Sequence, residues 1–215
     1  MGNGMRSFYG QTSMDVIRYR IMEVKPEEVD TVLKMMREIE DLTQVKFQGV
    51  KARPWNFDLL IILFNNLATQ ALTPGARRYL QFQQTDEEYE KFIRELVETP
   101  PTGAPFIGDF RLRPKGPPVA IMAMQRYVPA KNEIYPISLQ LRYVLLNALT
   151  RAKQSNVIQP SVANTLPGVD ADHFFPIDQA VLRAIFSHHD WSNLTYGGKI
   201  QLLTDRVMDQ LAAHP

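Results

Sequence analysis

Four residues that can carry hydrolytic or metal chemistry stand together in this sequence, as Ser187-His188-His189-Asp190. Imidazole and carboxylate side chains transfer protons and hold metal ions, so this cluster is the first candidate for a reactive centre. A structural interpretation competes with it, because the helix dipole favours histidine at the C-terminal end of a helix. We favour the structural interpretation, and we predict no catalytic residue, no metal ligand and no cofactor.

The pair His189-Asp190 resembles the central pair of the HD-type metal phosphohydrolases. That resemblance implies a metal-dependent hydrolase with a further histidine before the pair and a further aspartate after it, and His173 and Asp205 are available for these roles. However, His173 lies only sixteen residues before His189 in a proline-flanked loop, whereas the resemblance implies ligands on separate helices. A metal-dependent hydrolase is therefore our third function hypothesis.

Glycine-rich phosphate-binding motifs are present only in fragments. Gly197-Gly198-Lys199 is followed by Ile200, where a Ser or Thr would have to reach a magnesium ion. We interpret this segment as a turn that opens the last helix. Gly2-Asn3-Gly4 has no strand before it and no helix after it, so the sequence does not predict dinucleotide binding.

Positive charge is concentrated in the middle of a nearly neutral chain. The whole chain has 24 basic and 23 acidic residues, but residues 100–159 hold eight basic and two acidic ones, a net charge of +6. The flanking segments 58–99 and 160–215 each carry −3. We predict that the following basic residues contact nucleic acid or an acidic partner: Arg111, Arg113, Lys115, Arg126, Lys131, Arg77 and Arg78. The alternative is that they are solvated charges on an exposed loop.

The first thirteen residues are rich in Gly, Ser, Gln and Asn and predict an extended arm. The arm carries two large aromatic residues, Phe8 and Tyr9, which are easier to explain if they dock on something than if they stay in water. A neighbouring copy and the chain's own core are both suitable surfaces. We predict one domain over residues 14–215, with two lobes joined at 100–118 as the alternative.

The apolar spacing predicts mainly helices. We expect a strand around Asp15–Glu23, a helix from Pro26, and a buried central helix over Trp55–Leu72, which is apolar on nearly every side. A capping box formed by Thr85 and Glu88 predicts the start of another helix.

Six of the fifteen prolines fall within 100–118, which predicts a long loop. A short strand over Val119–Met124 and three further helices complete the predicted elements. These helices start at Pro136, Ile177 and about Lys199.

The sequence thus predicts a mainly α fold, on the margin of α+β, with five to six helices. Our first function hypothesis is a non-enzymatic structural protein of the viral coat or nucleocapsid type, which assembles with copies of itself and contacts RNA or DNA through the basic segment 100–159. The second hypothesis is an accessory subunit of a larger complex of unrelated proteins. The absence of cysteine fits a reducing compartment, so we expect the cytoplasm or a virion assembled there. No membrane span is predicted.

Overall fold

A computed structural model of the 215-residue chain describes the core of the protein. The described residues are 16–22, 26–50, 57–81, 83–98, 106–111, 119–125, 129–130, 133–134, 137–150, 160–163, 172–187 and 194–213. Several residues singled out by the sequence lie outside them: Phe8, Tyr9, Arg113, Lys115, Arg126, Lys131, His188, His189, Asp190 and His214. The predictions that depend on these residues therefore remain predictions.

The described residues form seven strands and seven helices. The strands are β1 (Val16–Met22), β2 (Lys46–Gly49), β3 (Leu59–Phe64), β4 (Phe106–Arg111), β5 (Val119–Gln125), β6 (Pro129–Ala130) and β7 (Glu133–Ile134). The helices are α1 (Pro26–Thr43), α2 (Leu67–Gln70), α3 (Pro74–Leu80), α4 (Asp86–Glu98), α5 (Ile137–Thr150), α6 (Pro176–Phe186) and α7 (Tyr196–Ala213).

Five of the strands form one mixed sheet in the order β2-β1-β3-β5-β4. All neighbouring pairs are parallel except β4 and β5, which are antiparallel. Helices cover both faces of this sheet. The fold is therefore α/β, and the predicted mainly helical fold is wrong, because a segment assigned to a central helix forms the middle strand of a sheet.

Strand β3 is the source of that error. We predicted a central helix over Trp55–Leu72, but Leu59–Phe64 is a strand in which every residue is buried. It lies between parallel neighbours, β1 and β5, and both of its faces are covered by helices. A strand in that position is apolar without alternation, so its residues carry no period of two and resemble a buried helix.

The register of the sheet explains how a short connection joins two parallel strands. Tyr19 of β1 is level with Gly49 at the end of β2 and with Leu59 at the start of β3. Strand β2 pairs with the first half of β1, and β3 pairs with the second half on the other side. The connection between β2 and β3 therefore starts and ends at the same level of β1, so these two parallel strands do not need the long crossover that returns the chain along a sheet.

The two faces of the sheet bury different halves of the apolar residues. One face, which includes Leu59, Ile61 and Leu63 of β3, packs against α1, α5 and α6. The other face, which includes Leu60 and Ile62, packs against α2, α3 and α4. The protein core is thus three layers deep, with the sheet in the middle.

Most helices predicted by periodicity are confirmed, and the corrections concern short elements. The capping box is present: Glu88 N donates to Thr85 Oγ1 over 3.2 Å, and Thr85 N donates to Glu88 Oε2 over 2.8 Å. Helix α3, with Thr73 as its N-cap and Pro74 as its first residue, lies directly beyond the end of the segment predicted as one central helix. The proline-rich segment also contains a strand, β4, that the sequence did not predict.

Candidate functional site

The predicted basic site residue Arg77 lies on α3, where it joins this helix to α4. Its guanidinium donates to Asp86 Oδ1 over 2.9 Å, contacts Glu90 Oε1, and donates through Nε to the carbonyl of Leu72 over 2.8 Å. It also lies over the ring of Tyr89, 5.5 Å from the centroid. Two carboxylates thus compensate its charge, and the contacts hold α3 on α4.

Two of the remaining predicted basic residues, Arg78 and Arg111, lie within the described ranges. Arg78 is exposed on α3, with its guanidinium 5.9 Å from the ring centroid of Tyr79. The backbone of Arg111 ends β4 and pairs with Val119 at the start of β5, so it lies at the amino-terminal edge of the parallel strands. The two residues therefore lie on different elements, α3 and β4.

One of the eight basic residues of segment 100–159 is not on the surface. Arg142 is 2% exposed, and its Nη2 donates to Glu38 Oε2 over 3.2 Å and to the carbonyl of Asp172. The guanidinium also lies 5.8 Å from the ring centroid of Phe174. This cation holds α5 against α1 and the chain before α6, so it belongs to the core and does not contribute to an exposed positive surface.

Of the residues considered for a metal site, His173 and Asp205 lie within the described ranges, His173 before α6 and Asp205 on α7. His173 is exposed, with its ring 6.3 Å from that of Phe175. Asp205 is exposed on α7, where it accepts a hydrogen bond of 2.7 Å from Gln201. Within the described ranges, no three histidine or acidic side chains are close enough to hold a metal ion.

The last helix, α7, begins earlier than predicted. Gly197, Gly198 and Lys199 form its first turn, and Thr195 is the cap, since Gly198 N donates to Thr195 Oγ1 over 3.2 Å. An added Cβ at Gly197 would meet no atom within 4 Å. The glycines therefore belong to a helix and form no phosphate loop; Gly197 faces open space, whereas an added Cβ at Gly198 would lie 3.3 Å from Thr195 Oγ1.

Helix α7 presents an apolar surface to solvent. None of its eighteen residues is buried, and Tyr196, Ile200 and Met208 are 66%, 48% and 61% exposed. The helix packs mainly against α6. Leu202 and Arg206 line a cavity of about 290 Å³ between the two helices, and Arg206 donates to Ser187 Oγ there.

Four residues of α7 follow a spacing of four, three and four: Ile200, Thr204, Val207 and Leu211. We call them the α7 seam. Ile200 and Thr204 are exposed and the other two are half-buried. At 3.6 residues per turn, the α7 seam lies on the side of the helix opposite Leu202 and Arg206, which face α6. The spacing is that of a helix that packs against a second helix.

A second candidate site lies at the carboxyl ends of β1 and β3. From β1 the chain continues to α1 on one face of the sheet, and from β3 it continues to α2 on the other. Open α/β sheets bind ligands in the crevice that such a reversal leaves. A crevice of about 130 Å³ is present there, and it is lined by Met22, Ile62, Phe64, Gln70, Thr73, Gly75 and Ala76.

Sequence reasoning missed this crevice entirely. It depends on the order of the strands and on the short helices α2 and α3, of which α2 was included in the predicted central helix Trp55–Leu72 and α3 was not predicted. The one local signal was Thr73-Pro74, which is as typical of a helix start as of a break.

Comparison with known proteins adds no further constraint. No protein-family model matches the chain, and a search of curated proteins gives no significant match. No described helix is both long enough and apolar enough to cross a membrane.

Proposed function

We propose that this protein is a non-enzymatic structural subunit, of the viral coat or nucleocapsid type, that assembles with copies of itself through the α7 seam. The observation that carries the proposal is the exposure of three large apolar side chains on α7, Tyr196, Ile200 and Met208, of which Ile200 lies in the α7 seam. Exposed apolar surface on a long, regular element is typical of a contact with another molecule. The 4-3-4 spacing specifies what kind of contact this is, namely helix against helix.

A second copy of the chain is the partner that fits this surface. In an antiparallel pair of α7 helices related by a two-fold axis near Thr204, Ile200 of one copy faces Val207 and Leu211 of the other. The small side chain of Thr204 lies at the crossing, where it allows the backbones to approach. The two seams are identical, so they satisfy the self-complementarity that a two-fold contact requires.

The contact is expected to be weak on its own. A helix of eighteen residues is about 27 Å long, and one face of it covers less than the roughly 800 Å² per partner of a stable interface. Assembly should therefore depend on protein concentration and on further contacts. Segment 100–159, with its net charge of +6, supplies one of these contacts in our proposal, by binding RNA or DNA.

Substitution of Ile200 by aspartate tests the role of α7. We expect Ile200→Asp to abolish self-association, because it places a charge in the apolar seam, and to leave the helix folded, because Ile200 is 48% exposed. The matched control is Phe92→Asp, which puts the same charge on an exposed apolar position of α4, where Phe92 is 37% exposed. Circular dichroism checks the fold of both variants.

The measurement is sedimentation velocity over a range of concentrations, with negative-stain microscopy of the largest species. The proposal requires that the parent chain and Phe92→Asp associate and that Ile200→Asp remains monomeric. A parent chain that is monomeric at every concentration and salt would overturn self-assembly and favour the accessory-subunit hypothesis. Equal loss of association in both variants would show that the contact is not at α7.

A further inference from the structure

The crevice at the carboxyl ends of β1 and β3 combines an apolar floor with a single oriented donor. Met22, Ile62 and Phe64 supply the floor, and no charged side chain is among the described residues that line it. A ligand that binds here must therefore be apolar over most of its surface, and a neutral ligand fits better than an ion, since nothing compensates a buried charge.

Gln70 is the residue that gives the crevice its polarity. Its Oε1 accepts hydrogen bonds from the backbone nitrogens of Asn65 and Asn66, over 2.7 and 3.0 Å. Because two backbone N–H groups donate to the same side-chain atom, that atom must be the amide oxygen and the other must be the amide nitrogen. Its Nε2 can then only donate, and no described acceptor lies within hydrogen-bonding distance of it. Gln70, which lines the crevice, thus has one donor group, the Nε2 amide, whose place is set by the two hydrogen bonds to Oε1.

The neighbouring polar side chain is already occupied. Thr73 Oγ1 donates to the carbonyl of Gln70 over 2.9 Å and accepts from Ala76 N over 3.4 Å. These contacts tie the end of α2 to the start of α3, so the wall of the crevice is rigid. The amide of Gln70 is therefore the group that would recognise a ligand, and the ligand has to bring an acceptor.

The size of the crevice limits the ligand further. A volume of about 130 Å³ is close to that of an engineered apolar cavity of roughly 150 Å³ that binds benzene. We propose that this crevice binds a neutral molecule of about one ring, packed on the apolar strand ends, with a carbonyl oxygen that accepts a hydrogen bond from Gln70 Nε2. Single-ring carbonyl compounds, a class that includes pyrimidine bases, have this chemistry. This inference is independent of the proposed assembly through α7.

Acetophenone and ethylbenzene are the probes that test it, because they share the ring and differ in the carbonyl oxygen. Ligand-observed NMR with the full-length protein gives the ratio of the two affinities. We expect Gln70→Glu to lower the acetophenone-to-ethylbenzene ratio by about fivefold or more, because a carboxylate still accepts from the two backbone nitrogens but cannot donate to a carbonyl. Binding of ethylbenzene should change little.

A second pair of variants tests the location. Gly75 lines the crevice, and an added Cβ there meets no atom within 4 Å, so Gly75→Leu should fold and obstruct both probes. Gly197→Leu is the matched control at an equally open glycine on α7, and it should leave both affinities unchanged. The inference is overturned if neither probe binds up to its solubility limit. It is also overturned if Gln70→Glu leaves the ratio unchanged, or if Gly75→Leu and Gly197→Leu behave alike.

Discussion

At the residue scale, the buried carboxylate of Asp178 is the group with the clearest energetic consequence. It accepts hydrogen bonds from Ser161 Oγ over 2.6 Å, from Val162 N over 2.8 Å and from Phe175 N over 3.2 Å. Asp178 is 2% exposed, and this burial raises the pKa of its carboxyl, although the three hydrogen bonds oppose the shift. The network holds residues 160–163 against the start of α6.

The raised pKa of Asp178 predicts a pH-dependent stability. A carboxyl whose pKa is higher in the folded than in the unfolded protein contributes stability below its unfolded pKa, near 4, and loses that contribution as the pH rises through the folded pKa. We therefore expect Asp178→Asn to gain free energy of unfolding relative to the parent as the pH rises from about 4 to about 7. Urea denaturation across this range measures the difference, and a difference independent of pH would contradict the assignment.

Asp178→Ala separates the hydrogen bonds from the charge. Asn keeps an acceptor for Val162 N and Phe175 N, and the hydroxyl of Ser161 can rotate to accept from its amide. Alanine leaves both backbone donors buried without that acceptor, so it should lower the free energy of unfolding by about 2–4 kcal/mol. If Asn and Ala cost the same near pH 4, the carboxylate would not organise this segment.

At the scale of elements, the buried Arg142 predicts how α5 is held to α1. Removing one partner of a buried ion pair leaves an uncompensated charge, here Glu38, so Arg142→Met should cost about 3–5 kcal/mol. The same substitution at Arg37, which is exposed on α1, should cost less than about 0.5 kcal/mol. Thermal and urea unfolding check both variants.

A double-mutant cycle with Glu38→Gln isolates the contact itself. Glu38 Oε1 also accepts from Phe174 N over 2.6 Å, so it connects α1 to the chain before α6 as well. We expect a coupling energy of about 1 kcal/mol or more between positions 38 and 142. Additive effects would mean that Arg142 stabilises the protein through packing on Phe174 alone.

The sequence predicts best those elements that have one face packed on the core and the other in solvent, because their apolar residues then repeat with the period of the strand or helix. Strand β1 alternates, and α1 and α4 have apolar residues every three or four positions, with Pro26 at the start of α1 and the capping box of Thr85 and Glu88 at the start of α4, so local spacing was sufficient. Strand β3 was mistaken for a helix because its burial is set by two neighbouring strands and two helical layers, none of which is encoded locally. Strand β2 has four residues and β4 lies among prolines, so neither has a pattern long enough to detect.

The candidate surfaces were harder to predict than the elements for a related reason. The apolar spacing predicts a helix from about Lys199, but the sequence does not say which of its residues α6 covers. The role of Gln70 depends on two backbone donors in the loop after β3 and on the change of sheet face between the connections that follow β1 and β3. Both features can be recognised only once the strand order is known.

At the scale of the whole molecule, the proposed self-contact and the proposed nucleic-acid contact differ in their physical origin. The α7 seam is apolar, so raising the salt concentration should leave self-association unchanged or strengthen it. Binding of nucleic acid to segment 100–159 releases counterions, so it should weaken steeply with salt. The two contacts can therefore be separated in one protein.

A triple substitution in the basic segment tests the salt dependence of nucleic-acid binding separately from that of self-association. Replacing Arg111, Arg113 and Lys115 together by alanine should weaken binding of single-stranded RNA and reduce the slope of log affinity against log salt by about 0.7 for each phosphate that is no longer neutralised. Fluorescence anisotropy between about 50 and 300 mM salt measures the slope, and Ile200→Asp serves as the control that alters assembly without changing the basic segment. The triple variant could instead keep the parental slope for RNA and lose association with copies of itself at low salt. That result would show that the basic segment contacts an acidic surface of a neighbouring copy, and it would contradict binding of phosphate by this segment.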